Sequence, residues 1–120
     1  MSYDVIIWPG ANPAGEDEAD ALYEEYAERH EELEENEVAP TPEVLAFLDD
    51  LVRLWPDDDW NTPEFPWSLA PVSPGAAAGD IAYLTLTVHS RLEEMVGDIG
   101  RIAREHGMVA YDPQLGEVVS

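Results

Sequence analysis

Histidine is the side chain best suited to acid–base or metal chemistry in this sequence, which contains three of them: His30, His89 and His106. No two stand at the HxxxH or HExxH spacing that puts a pair of imidazoles on one helical face as zinc ligands. His106 precedes Gly107 at the predicted end of a helix, where the helix dipole favours a cation. We therefore expect structural roles for all three histidines and no metal site.

The stretch at 57–61 (DDDWN) contains the D-x-D-x-N opening of a calcium-binding loop. Thr62 stands where that loop needs glycine, and Ser68 stands where it needs a bidentate glutamate. The stretch therefore predicts an acidic surface loop, and we expect no bound metal and no other cofactor.

The serines and carboxylates form no recognisable catalytic arrangement. Ser68, Ser73 and Ser90 lack the strand–turn–helix context of a nucleophile elbow, and the chain contains no cysteine. No glycine-rich phosphate loop leads into a lysine and a helix. The many carboxylates are predicted to lie in water, whereas a catalytic acid needs apolar surroundings. We expect that the protein is not an enzyme.

Acidic side chains dominate the sequence. The 120 residues include 27 Asp and Glu against five basic residues, which gives a net charge of −22. Such a surface repels nucleic-acid phosphates and anionic membranes. Residues 1–64 hold 20 acids and two arginines (−18), and residues 65–120 hold seven acids and three arginines (−4). The excess is concentrated in residues 16–37, where 12 of 22 residues are acidic and Arg29 is the only basic one.

The spacing of the apolar residues predicts the elements that position these groups. Periods of three to four residues predict an acidic helix over 17–35, a second helix from Thr41 to Trp55, and a third that opens with a capping box at 90–93. Alternating or β-branched runs predict strands at 3–8, 80–89 and 108–111, an edge strand at 67–72 and a short return strand at 117–119. Residues 73–79 predict a turn of small residues.

The order β-αα-β-β-α-β predicts a single α+β domain over 1–120. Its arrangement predicts a ferredoxin-like sandwich in which all helices cover one face of a mostly antiparallel sheet. The first strand and the strand at 108–111 are expected side by side, between the strands at 67–72 and 80–89. The opposite face of the sheet is then expected to expose Tyr83, Thr85, Thr87 and Tyr111.

The two ends of the chain resemble a known group of proteins. The opening at 1–9 (MSYDVIIWP), the segment at 90–94 (SRLEE) and the segment at 106–114 (HGMVAYDPQ) carry the resemblance. They are similar to small, largely uncharacterised actinobacterial proteins of the immunity-protein type, which accompany secreted polymorphic toxins. The resemblance covers the first strand and roughly the last third of the chain. It implies an inhibitor of a toxin, and it assigns no functional residues. The opening residues lack the positive n-region of a signal peptide and no stretch approaches the ~20 apolar residues of a membrane span, so we expect a cytoplasmic protein.

A toxin that acts on nucleic acid or nucleotides has a positively charged cleft, and complementary charge accelerates association with it. We therefore predict that the acidic helix and loop bind and neutralise a basic-surfaced toxin. The predicted contact residues are Glu24, Glu28, Glu31, Glu32, Glu35, Asp57, Asp58, Asp59 and Trp60. Two alternatives stay open: an acidic interaction module or nucleic-acid mimic that antagonises a DNA- or RNA-binding protein, and a halophilic domain whose surface charge is non-specific.

Overall fold

The computed structural model describes residues 2–10, 13–56, 65–68, 72 and 75–119. The elements in chain order are β1 (Ser2–Pro9), α1 (Glu16–Glu35), α2 (Pro42–Leu54), β2 (Ala77–Ala78), β3 (Ile81–Thr87), α3 (Leu92–Glu105), β4 (Met108–Asp112) and β5 (Glu117–Val119). All strand pairs are antiparallel, and the order in the sheet is β2-β3-β1-β4-β5. The predicted α+β class is therefore confirmed, with five strands and three helices among the described residues.

Strand β1 forms the centre of the sheet and is buried on both faces. It pairs with β3 on one side and with β4 on the other, which confirms the predicted neighbourhood of β1 and β4. The prediction that the strands at 67–72 and 80–89 flank this pair is wrong, because β5 is the outer neighbour of β4. Side chains alternate between the two faces of a strand. Val5 and Ile7 enter one hydrophobic core, whereas Ile6 and Trp8 enter the other, and none of the four is more than 1% exposed. The sheet therefore needs a cover on each side.

The helices supply those two covers. Phe47 and Leu51 of α2 join Met95 and Ile99 of α3 in the core beneath one face. Helix α1 packs on the opposite face, against the side chains of Ile6, Trp8, Ile81, Val109 and Tyr111. The prediction that all helices lie on one face is wrong, and the ferredoxin-like sandwich that assumes it is not established.

The second face is consequently covered rather than open. Tyr111, predicted to be exposed, is 2% exposed beneath α1. Tyr83, Thr85 and Thr87 are half-buried. The physical reason is the two-sided apolar character of β1, which leaves no sheet face that can stay in water.

Two predicted helix ends are confirmed and one is not. The Thr41 hydroxyl accepts a hydrogen bond from the backbone N–H three residues further on (N···O 3.4 Å), and Pro42 occupies the first turn of α2. Gly107 follows α3 with a positive φ of 70°. The capping box centred on Ser90 is wrong, because α3 has Arg91 at its N-cap and no side-chain capping hydrogen bond.

The strand that precedes β3 differs from the predicted edge strand at 67–72. Trp67 forms one isolated bridge to Leu86, and residues 69–71 lie outside the described residues. The strand paired with β3 in a hairpin is instead β2, which falls inside the predicted turn at 73–79. The physical reason is the length of β2: two residues are too few to show an alternating pattern, and β2 takes its pairing from β3.

Candidate partner-binding face

The five glutamates predicted on the acidic helix share one outward face of α1. Residues three or four apart lie on the same side of a helix, and this spacing links Glu24, Glu28, Glu31, Glu32 and Glu35. All five are exposed. They span about 16 Å along the helix axis at the usual rise per residue. We call this surface the acidic face.

An aromatic cluster fixes α1 to the sheet beneath this face. The rings of Trp8 and Tyr26 stack with centroids 5.2 Å apart and planes within 7° of parallel. Tyr23 stacks on Tyr111 with centroids 5.1 Å apart, and the Tyr111 hydroxyl donates a hydrogen bond to Asp20. The helix therefore presents its acids from a packed support, which limits the ordering cost of binding.

The charge of α1 is almost uncompensated within the helix. All 12 acidic residues between positions 16 and 37 are exposed. Arg29 pairs with Glu25 (N···O 3.0 Å) and lies over the Tyr26 ring, and the last turn contains no basic residue. Acids four residues apart, and acids near a helix C-terminus, each cost a few tenths of a kcal/mol. Repulsion between the carboxylates of the acidic face therefore destabilises α1.

The predicted acidic loop cannot be placed beside this face. Asp57, Asp58, Asp59 and Trp60 lie outside the described residues. The neighbouring aromatics are described: Trp55 and Trp67 are buried in the core under α2 and α3 (6% and 3% exposed). The Trp67 indole N–H donates to the carbonyl oxygen of Trp55 (2.8 Å) and the Trp55 indole N–H donates to an Asp98 carboxylate oxygen (3.0 Å).

The three histidines make different local contacts. His106 Nε2 lies 2.7 Å from an Asp50 carboxylate oxygen and so links the end of α3 to α2. His89 Nδ1 accepts the backbone N–H of Arg91 (3.2 Å). His30, a buried residue of α1, is 6% exposed. Within the described part of the chain, no three His, Asp or Glu side chains converge in a way that holds a metal ion.

A cavity that the sequence did not predict opens on the flank of α1. It measures about 400 Å³, and its lining residues are Ala27, His30, Glu31, Glu34, Gly75, Ala76, Tyr83 and Thr85. His30 Nε2 faces the Ala76 carbonyl oxygen (3.3 Å), and Nδ1 faces a Glu34 carboxylate oxygen (3.3 Å). The sequence signal was a histidine on the apolar stripe with a glutamate four residues later. The wall from residues 75–76 comes from a distant part of the chain.

One buried tyrosine (Tyr111) and two half-buried ones (Tyr3 and Tyr83) are expected to make the fold unstable at alkaline pH. Burial, followed by the hydrogen bond to Asp20, raises the pKa of Tyr111 to about 12. Burial and the hydrogen bond to Asp112 raise the pKa of Tyr3 far above its usual value, and burial and the Asp4 charge do so for Tyr83.

A raised folded-state pKa means that the neutral phenol stabilises the fold below the unfolded-state value of 10.0, and that this stability is lost as the pH rises through the folded-state value. We expect the urea midpoint, followed by circular dichroism, to fall steeply between about pH 10 and pH 12. Tyr111→Phe is expected to make this decline shallower. An unchanged slope in that variant would show that Tyr111 does not contribute to it.

No helix among the described ranges has the length and apolar character required to cross a membrane. No protein-family model, curated protein or solved structure matches the chain. The resemblance of the chain ends to immunity-type proteins therefore stays a prediction. The functional argument rests on the acidic face and its surroundings.

Proposed function

We propose that this protein is an immunity protein, a stoichiometric inhibitor that binds a cognate toxin of basic surface through the acidic face of α1. The observation that carries the proposal is the exposure of all 12 acids between positions 16 and 37, with Arg29 as their only basic neighbour in that segment. The predicted contacts of Asp57, Asp58, Asp59 and Trp60 are not part of this proposal, because these four lie outside the described residues.

The distribution of charge favours recognition over non-specific solvation. A coating that serves solubility works when it is spread over the surface, whereas here residues 16–37, in α1 and just after it, hold 12 exposed acids against one arginine. Repulsion along α1 also destabilises the helix. A basic partner reduces that repulsion on binding. Part of the free energy that the repulsion costs the unbound protein is therefore added to the affinity.

The packed support of α1 favours fast, specific binding. Complementary charge raises association rates well above the roughly 10⁵–10⁶ M⁻¹s⁻¹ of neutral surfaces. A producing cell needs that speed, because its inhibitor must capture the toxin before the toxin acts. The Trp8–Tyr26 stack holds the helix in place beforehand.

The first experiment is co-expression with each chromosomally adjacent gene whose product is toxic alone, followed by co-purification. We expect one such protein to be neutralised and bound. Charge reversal at Glu24→Arg, Glu28→Arg and Glu32→Arg is then expected to slow association by about tenfold or more and to flatten its salt dependence. Stopped-flow measurements over a salt series report both quantities.

A matched control separates the acidic face from net charge. Glu43→Arg, Glu93→Arg and Glu105→Arg alter exposed acids on α2 and α3, beyond the opposite face of the sheet. Each triple variant changes the net charge by the same amount, from −22 to −16. Equal slowing by both triples would contradict the proposal and favour a non-specific halophilic surface. A captured partner that is a DNA- or RNA-binding protein and not a toxin would favour the nucleic-acid mimic.

A further inference from the structure

The cavity beside α1 has the size of a side-chain pocket. Its volume of about 400 Å³ lies at the low end of the range for small-molecule sites. One wall is the flank of α1, with Ala27, Glu31 and Glu34, and another is β3, with Tyr83 and Thr85. The pocket is therefore shaped between a helix and the sheet, and it adjoins the acidic face through Glu31.

The charges that line this cavity favour a cation. Glu31 and Glu34 are three residues apart on α1, so both carboxylates lie on the same flank, and both are exposed. The remaining polar groups of the described lining are the Thr85 hydroxyl, the Tyr83 phenol and the His30 ring. His30 turns its nitrogens towards Glu34 and the Ala76 carbonyl oxygen, and the Glu34 side chain is 56% exposed and so accessible to a ligand.

The rings of the cavity favour a planar cation over a compact one. The His30 and Tyr83 rings both line the cavity, with centroids 5.8 Å apart and planes tilted by 36°. We call this pair of rings the aromatic floor. A guanidinium stacks on aromatic rings and bonds two carboxylate oxygens at once, whereas an ammonium does neither as well. Arginine fits this combination of groups better than lysine does.

The protein uses the same combination for two of its own arginines. Arg29 lies 4.9 Å from the centre of the Tyr26 ring and pairs with Glu25 at 3.0 Å. Arg91 lies 4.5 Å from the centre of the Trp55 ring and donates two hydrogen bonds to Glu94 (3.0 and 2.9 Å). At two places in this fold, therefore, an aromatic ring and a neighbouring carboxylate together bind an arginine side chain.

From these observations we infer that the cavity receives one arginine side chain of the partner protein. The inference rests on the proposed function for the source of that arginine, and it deepens the proposal by placing a specific contact at the edge of the acidic face. The arginine bonds Glu31 and Glu34 and stacks on the aromatic floor.

A small probe tests the cavity without the partner. We expect N-acetyl-arginine amide to bind in the millimolar range and to shift the amide NMR signals of Gly75, Ala76 and Thr85 in a saturable way. The isosteric neutral probe N-acetyl-citrulline amide is expected to cause no saturable shift. The double variant Glu31→Gln/Glu34→Gln is expected to weaken arginine binding by about fivefold or more, since it removes two ion pairs.

The matched control is Glu24→Gln/Glu28→Gln, which removes the same charge from the same helix away from the cavity. This variant is expected to weaken the binding of N-acetyl-arginine amide by less than about twofold. Equal weakening by both pairs, equal binding of citrulline, or shifts spread evenly along α1 would overturn the inference. Because the probe experiment involves no partner, its failure would not contradict the proposed function, which is tested separately by the association rates of the charge-reversed variants. A failure of those measurements likewise leaves the pocket result standing.

Discussion

Replacing Trp8 by alanine is expected to lower the free energy of unfolding by about 3–5 kcal/mol. Trp8 is 1% exposed and is among the largest fully buried side chains described. Its ring stacks on Tyr26 of α1 and lies against Tyr111 of β4, with centroids 5.2 and 5.7 Å apart. Truncation therefore removes buried apolar area and leaves a cavity at the point where α1 meets the sheet.

Urea unfolding followed by far-ultraviolet circular dichroism measures this effect without depending on tryptophan fluorescence. Val88→Ala provides the control, because Val88 is 58% exposed and its truncation is expected to cost less than about 0.5 kcal/mol. A Trp8→Ala variant as stable as that control would show that α1 does not depend on the aromatic cluster. The presentation of the acidic face would then need another explanation.

Alanine substitutions at the two glycines inside α3 are expected to have opposite effects on stability. A Cβ at Gly100 would lie 2.6 Å from a Val119 methyl group and 3.1 Å from the Val119 carbonyl oxygen, so β5 must move. Gly100→Ala is therefore expected to destabilise the protein by about 1–2 kcal/mol despite its better helix propensity. A Cβ at Gly97 meets nothing within 4 Å, so Gly97→Ala is expected to stabilise by about 0.5–1 kcal/mol.

The two variants are controls for each other, since they share one helix and one change of residue. Urea midpoints measured side by side give the difference directly. Stabilisation by both would mean that β5 does not pack on α3 at Val119. Destabilisation by both would mean that Gly97 faces a contact the structure does not show.

Local signals in the sequence were enough to predict most of the helices and strands. Thr41 followed by Pro42 marks the start of α2, and Gly107 marks the end of α3, because caps depend on neighbouring residues alone. The periodic apolar stripe of α1 likewise placed the five glutamates of the acidic face on its outer side. Short elements were predicted less well: β2 has two residues and takes its pairing from β3.

The side of the sheet that α1 covers was mispredicted although a signal was present. Residues 5–8 (VIIW) are four consecutive apolar residues, which is typical of a strand buried on both faces. Such a run indicates that both faces of the sheet are covered, but it does not indicate which helix covers which face. That choice depends on contacts between residues far apart in sequence, such as Trp8 with Tyr26 and Tyr111.

The sequence by itself determined the chemistry of this protein: an acidic helix with one arginine, and an apolar pattern that turns its glutamates outward. Helical periodicity decides that much, because it relates residues only three or four positions apart. The tertiary structure alone decided where that helix lies and what adjoins it. The cavity exists because α1 packs across β3 and residues 75–76, and that packing joins Glu31 and Glu34 to groups some 50 residues away along the chain.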